Sequence, residues 1–233
     1  MSAPEGKGDI AYTDALVSQR YSPISAVLKH AARRGWCAEF KIERPAGHDS
    51  ERVRWLTFEE AERLIAACAA HMRPLVVFLL YTGARVGEAL WLDWRDVSLD
   101  RAHVQFIDTK NDTSRGVPLH RRVVAELRAM THSTGCVFRK LDGSTYAFLN
   151  EDNPHDRSAG TRIKTGFRGA VRRARLTDFH PHDCRHTWAT WHYAANRDLG
   201  ALMKLGGWSS IDMVMRYAHT NVAELGQTIE RIR

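Results

Sequence analysis

The side chains best suited to chemistry in this sequence are a tyrosine, two arginines, a lysine and a histidine: Tyr217, Arg85, Arg185, Lys110 and His182. A tyrosine hydroxyl becomes a useful nucleophile when cationic groups stabilise the charge that develops in the transition state. Arginine suits a phosphate because its planar guanidinium stays protonated and donates two hydrogen bonds at once. The set could therefore cleave a phosphodiester without a metal ion, with Arg85 and Arg185 as the phosphate clamp.

Five short stretches contain these residues. The stretches are TGARVGEAL at 82–90, TKN at 109–111, HDCRHT at 182–187, LGGWS at 205–209 and MRYAH at 215–219. In order and spacing they resemble the tyrosine recombinase, or phage integrase, family. Any one of them would be weak support, but five in register make a chance match improbable.

The resemblance assigns a role to each residue. Tyr217 is the expected nucleophile, which forms a 3′-phosphotyrosyl bond, and Lys110 is expected to protonate the departing 5′ hydroxyl. His182 is expected to assist proton transfer at the phenol. Trp208 stands where many relatives have histidine; its indole N–H can donate to a phosphate oxygen but cannot transfer protons. The net reaction implied is strand exchange without ATP or any other cofactor.

Two further residues are expected to support this set. Glu88 lies three residues after Arg85, about one helical turn away, and could orient a basic side chain. His186 is expected to do similar supporting work. Ordinary readings exist as well: an Arg85–Glu88 helix ion pair, a solvated Lys110 in a turn, or a Trp208 that only fills the core. For Trp208 the packing and catalytic readings are equally favoured.

The basic run in the second half of the chain has two readings, a solvated helix face or a strip that contacts the DNA backbone. In a DNA enzyme we favour the strip. Its members are Arg162, Lys164, Arg168, Arg172 and Arg173. The nearby His180-x-His182-x-Cys184-x-His186 pattern contains zinc-ligand types, but alternate residues on a helix point in different directions. We therefore predict no metal site.

Composition favours a polyanionic partner, because 34 Lys and Arg against 27 Asp and Glu give a net charge of +7. Double-stranded DNA is the expected partner. Four scattered cysteines with no C-x-x-C pair favour a reducing, cytosolic compartment. The family resemblance implies that this is the cytoplasm of a bacterial host, with the protein on the nucleoid. The longest apolar stretch, residues 74–81, is far shorter than the ~20 residues of a membrane span, so no membrane role is expected.

Local signals predict a mainly α fold with one small antiparallel β-sheet. Thr57-Phe58-Glu59-Glu60 is a capping box that opens a helix to about Ala70, and Pro74 and Gly83 bracket the next one. A short helix follows from Arg85 to Leu92. The other predicted helices are 22–36, 121–130, 161–175, 182–194, 199–205, 211–217 and 222–233, and the predicted strands are 97–99, 104–107 and 116–119. Lys110 falls in the second turn of the sheet, and residues 140–160 are loop-like.

These elements suggest a domain plan. Residues 1–13 are expected to be disordered, 14–44 to be the remnant of an N-terminal DNA-binding domain, 45–54 a linker, and 55–233 a catalytic domain with the tyrosine recombinase fold. The first domain is short for the family, so the chain looks truncated. We expect a homo-oligomer, a tetramer, on DNA and a monomer without it, with accessory factors setting direction. Alternative functions are type IB topoisomerase-like relaxation and non-catalytic DNA binding.

Overall fold

The computed structural model describes residues 14–38, 54–108, 113–146 and 163–218. The chain forms two compact units, Met1–Arg52 and Val53–Arg233. In the first unit, helix α1 spans Asp14–Arg33 and contains Pro23. The helix thus starts upstream of the expected residue 22. It ends before Gly35, whose φ of 70° closes a turn that is favourable for a residue without Cβ.

Helices dominate the second unit, as predicted. They are α2 (Phe58–Ala67), α3 (Arg73–Thr82), α4 (Val86–Leu90), α5 (Arg121–Arg128), α6 (Lys164–Arg173), α7 (Asp183–Asn196), α8 (Leu199–Gly206) and α9 (Asp212–Ala218). None of the helices in the described ranges is long and apolar enough to cross a membrane. The predicted helix 222–233 lies outside the described residues.

The small sheet has the order β1-β2-β3, with β1 at Val97–Ser98, β2 at His103–Asp108 and β3 at Thr113–Pro118. Both pairings are antiparallel, and Val104 faces Val117 while Phe106 faces Arg115. β3 begins earlier than expected because the pairing continues to Asp108 and Thr113. The structure therefore confirms the predicted fold class, a mainly helical chain with one small antiparallel sheet.

Helix α2 begins at the predicted capping box. The Glu60 amide donates to Thr57 Oγ1 at 3.2 Å, and the Thr57 amide donates to Glu60 Oε2 at 3.0 Å. The helix ends at Ala67 rather than near Ala70, because Cys68 adopts an extended backbone and the chain turns into α3. The capping signal acts over three residues, so it predicts the first residue of the helix better than the last.

Helix α3 is the centre of the core. Its residues from Leu75 to Leu80 have no exposed surface, which explains the uninterrupted apolar run. It ends at Gly83, which has a φ of 65°. A tight turn then leads to α4, which ends at Leu90 rather than at the expected Leu92. A second apolar cluster joins helices α7, α8 and α9 through Trp188, Ala189, Leu202, Val214 and Tyr217.

Candidate active site

Arg85 caps the start of α4 and binds two other parts of the second unit. Its Nη1 donates to Glu88 Oε1 at 2.8 Å, and its Nη2 donates to the carbonyl of Gly207 at 2.9 Å. The Arg85 amide also donates to Glu88 Oε2 at 2.7 Å, so the carboxylate caps the helix. With 44% of its side chain exposed, Arg85 stays within reach of a ligand.

Arg115 on β3 binds the same carboxylate. Its Nη1 and Nη2 donate to the two Glu88 oxygens at 2.7 Å each, and its Nε donates to the Leu205 carbonyl at 3.0 Å. Its Cζ lies 4.7 Å from the centre of the Phe106 ring, the residue opposite in the sheet. Glu88 therefore orients two arginines, where the sequence predicted one basic neighbour.

Arg185 is buried on α7, with 3% of the residue exposed. Its Nη1 donates to the Gly83 carbonyl at 2.8 Å, and its Cζ lies 3.9 Å from the centre of the Trp208 ring. Trp208 also stacks on Trp188, with ring centres 6.2 Å apart. Trp208 thus packs in the core and touches a predicted catalytic arginine, so both readings of this residue fit its position.

Glycines permit these close contacts. A Cβ on Gly83 would lie 2.0 Å from the Trp188 ring, and a Cβ on Gly206 would lie 2.0 Å from the Trp208 ring. Gly207 has a φ of 69°, and a Cβ there would lie 3.0 Å from Arg115 Nη1. Each glycine lets an aromatic or guanidinium group approach the backbone, so these glycines shape the site.

Tyr217 lies on α9 and is 2% exposed. Its hydroxyl lies 2.7 Å from Nδ1 of His186, and its ring centre lies 5.6 Å from that of Trp208. His182 is exposed at the start of α7, and its ring packs edge-on to His186 with centres 5.0 Å apart. The histidine that directly contacts the phenol is thus His186, with His182 one ring further away.

Burial sets the protonation states of the histidines. It lowers the pKa of His186 to about 4, and the neighbouring His182 and arginine charges contribute to the shift. Partial desolvation by its neighbours, with the charge of Arg185, also lowers the pKa of the more exposed His182. Both imidazoles are therefore neutral near pH 7, so His186 can accept a hydrogen bond from the phenol.

The charged groups give the site a positive balance. Burial lowers the pKa of Arg185 to about 10, helped by the charge of Arg85, which still leaves it protonated at neutral pH. Burial raises the pKa of Glu88, but the hydrogen bonds and charges of Arg115 and Arg85 outweigh this and leave it lowered. Three guanidinium groups against one carboxylate favour an anionic ligand such as a phosphate.

The basic run on α6 divides into two kinds of side chain. Lys164, Arg168 and Arg172 are on exposed positions. Arg173 is exposed as well, but it also donates from Nε and Nη2 to the Ala67 carbonyl at 2.9 and 2.7 Å, where it caps the end of α2. Arg162 lies outside the described residues, as does Lys110. The structure thus gives Arg173 a role within the fold.

Arg115 was missed from the sequence, although a signal was present. On a strand it shares a face with Val117, which is buried. A charged residue on an inward face requires a partner, so this arginine had to meet a carboxylate or carbonyl. Among the described residues, no cluster of three or more His, Cys, Asp or Glu side chains could hold a metal ion.

Comparison with known proteins places this site in a family. The family model described as the phage integrase family matches residues 54–224. The chain belongs to the phage integrase family. The match covers α2 to α9 and so includes the whole cluster around Tyr217. The tyrosine recombinase resemblance inferred from the five stretches is therefore confirmed.

Relatives of this integrase family member share much of its length. The integrase of Salmonella phage P22 is 33% identical over 210 residues, which cover 84% of this chain and 51% of that protein. The tyrosine recombinase XerC of Xanthomonas axonopodis pv. citri (strain 306) is 28% identical over 180 residues, which cover 75% of this chain and 57% of that protein. The chain thus spans about half the length of the curated relatives it matches.

Solved structures share the family fold. The crystal structure of XerA recombinase matches with a TM-score of 0.63 and 24% identity, and covers 97% of this chain and 86% of that one. The Tn1549 transposon integrase in complex with transposon right end DNA matches with a TM-score of 0.71 and 16% identity, and covers 95% of this chain and 80% of that one. At these identities the likeness establishes the fold.

Proposed function

We propose that this integrase family member cuts and rejoins DNA at specific sites through a covalent tyrosine intermediate. One observation carries the proposal: Tyr217 and two arginines belong to one connected cluster. The Tyr217 ring packs on Trp208, and Arg185 lies over the same Trp208 ring at 3.9 Å. Arg85 binds the carbonyl of the residue that precedes Trp208. The proposed nucleophile and the proposed phosphate clamp thus belong to one cluster.

The proposed cleavage is a transesterification. The Tyr217 oxygen attacks the scissile phosphorus while the bond from phosphorus to the 5′ oxygen breaks, which leaves a 3′-phosphotyrosine. Arg85 and Arg185 donate to the non-bridging oxygens, and the Trp208 N–H can add a further donor. Because the phosphotyrosine keeps the energy of the broken bond, a 5′ hydroxyl of another strand can attack it and rejoin the DNA without ATP.

Proton transfer accompanies both bond changes. Neutral His186 is placed to accept the phenol proton, since its Nδ1 lies 2.7 Å from the Tyr217 hydroxyl. His182 is proposed to assist from the adjacent ring. Lys110, which the family resemblance assigns as the acid, is proposed to protonate the leaving 5′ oxygen.

DNA binding has to expose the nucleophile. Tyr217 is 2% exposed, and its hydroxyl is engaged by His186, so a phosphate cannot reach its oxygen in this arrangement. We propose that α9 shifts relative to α7 when DNA binds, which turns the phenol toward the clamp. Such gating is common where closure completes a catalytic site.

The experiment that tests this function uses a nicked suicide substrate carrying the attachment site of the protein's own element. Wild type should form a covalent protein–DNA adduct on denaturing gels, and Tyr217→Phe should form none, because Phe lacks the nucleophilic oxygen. Tyr193→Phe, which removes another phenol of the same unit, should leave the adduct unchanged. An adduct that survives Tyr217→Phe would remove Tyr217 as the nucleophile.

A second arm of that experiment separates recombination from its alternatives. Supplying a second site with a free 5′ hydroxyl should give joined recombinant strands. Relaxation of supercoils without partner exchange would instead point to a topoisomerase-like activity. DNA binding by a folded protein with no adduct would leave a binding-only role.

We also propose that the protein assembles as a tetramer on DNA, is a monomer without it, and takes its direction from accessory factors. We propose a bacterial cytoplasm, on the nucleoid, as its location, because duplex DNA is the proposed substrate. A cavity of about 240 Å³ lies beside Tyr217, and the exposed Phe58 stacks there on Trp191 with ring centres 4.4 Å apart. The proposed occupant is the amphipathic segment 222–232 of another copy. Sedimentation with and without the site tests the assembly.

A further inference from the structure

Arg115 lies where β3, helix α4 and the end of α8 meet. Its guanidinium donates two parallel hydrogen bonds to Glu88 and its Nε donates to Leu205 O, so all three nitrogens are engaged by protein acceptors. Only 14% of its side chain is exposed. A charged group this buried is costly unless its partners hold a defined geometry. Arg115 and its partners therefore fix one another's positions.

One partner of Arg115, Glu88, also binds Arg85, a member of the proposed phosphate clamp. Glu88 accepts hydrogen bonds from Arg115 and also from the amide and Nη1 of Arg85. Arg85 is thus aimed by a carboxylate whose own place is set from the opposite side by Arg115. Without the two hydrogen bonds from Arg115, the Glu88 and Arg85 side chains could rotate together and still keep the hydrogen bond between them.

The other partner of Arg115, the Leu205 carbonyl, lies just before the turn that precedes Trp208. Gly207 presses against the Arg115 side chain, since a Cβ on Gly207 would lie 3.0 to 3.1 Å from three of its atoms. The Gly207 carbonyl accepts from Arg85 Nη2, and the next residue, Trp208, lies under Arg185. A displacement of Arg115 would therefore disturb both ends of the clamp.

We propose that Arg115 is a positioning residue for DNA cleavage. It holds Glu88 and the turn at 206–208 so that Arg85 and Trp208 meet the scissile phosphate in a fixed geometry. We assign it no contact with DNA, because each of its three nitrogens already donates to Glu88 or Leu205 and only 14% of its side chain is exposed. This inference rests on the proposed function, and its test keeps the two separable.

The test compares wild type, Arg115→Lys and Arg115→Met. The rate of adduct formation is measured in single turnovers at saturating nicked DNA, and Kd is measured separately by fluorescence anisotropy. Arg115→Met should slow adduct formation about 100-fold, the cost of misplacing groups that must align with the reacting atoms. Its Kd should change by less than about 3-fold, since the lost contact is not to DNA. Arg115→Lys keeps the charge without the fork and should recover part of the rate.

A matched control separates positioning from stability. Arg122 makes the same kind of contact away from the site: its guanidinium binds both oxygens of Glu62 and the Tyr81 hydroxyl. Arg122→Met should lower the unfolding midpoint yet leave the adduct rate unchanged. Glu88→Gln provides a cycle: if Arg115 acts through Glu88, the double variant with Arg115→Met should be slowed little beyond the slower single variant.

The outcomes distinguish the two proposals. A wild type that forms no adduct overturns the function and this inference together. If the wild type forms the adduct and Arg115→Met forms it at the same rate, only the inference is overturned. A rate loss that Arg122→Met reproduces also overturns only the inference, as do single-variant losses that multiply fully in the double variant. Should Arg115→Met fail to fold, Arg115→Lys decides: cleavage at the wild-type rate would show that the fork is not needed.

Discussion

At the scale of single residues, the state of the proposed nucleophile, Tyr217, depends on its hydrogen-bond partner, His186. The Tyr217 hydroxyl can donate to His186 Nδ1 only when the proton of the neutral ring sits on Nε2, and the lowered pKa of His186, about 4, keeps the ring neutral across the neutral range. The same burial that keeps the His186 ring neutral also shields the Tyr217 hydroxyl from solvent. The contact between His186 and Tyr217 therefore has to change before a phosphate can reach the Tyr217 oxygen.

This burial predicts a pH dependence of stability. His186 has a folded pKa of about 4 against an ordinary 6.5, so between these values the unfolded chain binds a proton that the folded chain lacks. Stability is full above about pH 6.5 and falls as pH drops toward 4. His186→Gln should remove roughly 2 kcal/mol of that decline, after allowance for partial solvent screening.

Urea unfolding at several pH values between 7 and 4.5 measures the effect. His182, His120 and His192 also have lowered pKa values, so the variant should flatten only part of the slope. His71→Gln, in the turn before α3, controls for the loss of a histidine as such. Equal slopes in wild type and His186→Gln would refute the assignment.

At the scale of elements, the turn between α3 and α4 joins the two arginines. Gly83 ends α3, its carbonyl accepts from Arg185, and its missing Cβ makes room for the Trp188 ring. Two residues later Arg85 begins α4. One turn thus positions groups from α4 and α7 together, which ties the clamp to helix packing.

Gly83→Ala should therefore destabilise the fold through two causes. The residue has a φ of 65°, and the new Cβ would lie 2.0 Å from the Trp188 ring, so we expect a loss of about 3 kcal/mol or more in unfolding free energy. Gly143→Ala is the matched control, because Gly143 has a φ of 79° with nothing within 4 Å of the added Cβ. It should lose only about 1 kcal/mol, from backbone strain. Equal losses in urea unfolding would contradict the packing argument.

At the scale of the whole molecule, the effect of the net charge of +7 on DNA affinity depends on which basic side chains can reach DNA. Arg168 and Arg172 remain candidates for backbone contacts, whereas Arg173, although also exposed, donates to the Ala67 carbonyl. Sequence proximity alone would have treated them as one strip. Their different partners predict different effects on binding.

Salt dependence separates these roles. Arg168→Gln and Arg172→Gln should each reduce the slope of log affinity against log salt for duplex DNA by about 1, because each removes one phosphate contact. Arg173→Gln should leave the slope unchanged and lower the unfolding midpoint instead. Anisotropy titrations at several salt concentrations measure the slopes. A loss of slope in Arg173→Gln, with none in the other two, would reverse the assignment.

Local signals made much of this molecule predictable from sequence. The capping box at Thr57 and the left-handed glycine at Gly83 each act over a few residues, so the start of α2 and the end of α3 were predicted correctly. The spacing of Arg85, Arg185 and Tyr217 indicated the family for the same reason, since each motif is a short stretch. The catalytic roles assigned to the site residues stay predictions, as do the DNA contact of Arg162 and the helix at 222–233.

Only the tertiary structure decided which distant residues meet. The sequence alone determined the fold class, the family and a set of reactive side chains. Packing determined that Arg115 shares Glu88 with Arg85, that His186 rather than His182 contacts the phenol, and that Arg173 caps α2. These choices depend on how buried charges and hydrogen-bonding groups find partners across elements, and no short stretch of sequence contains that information.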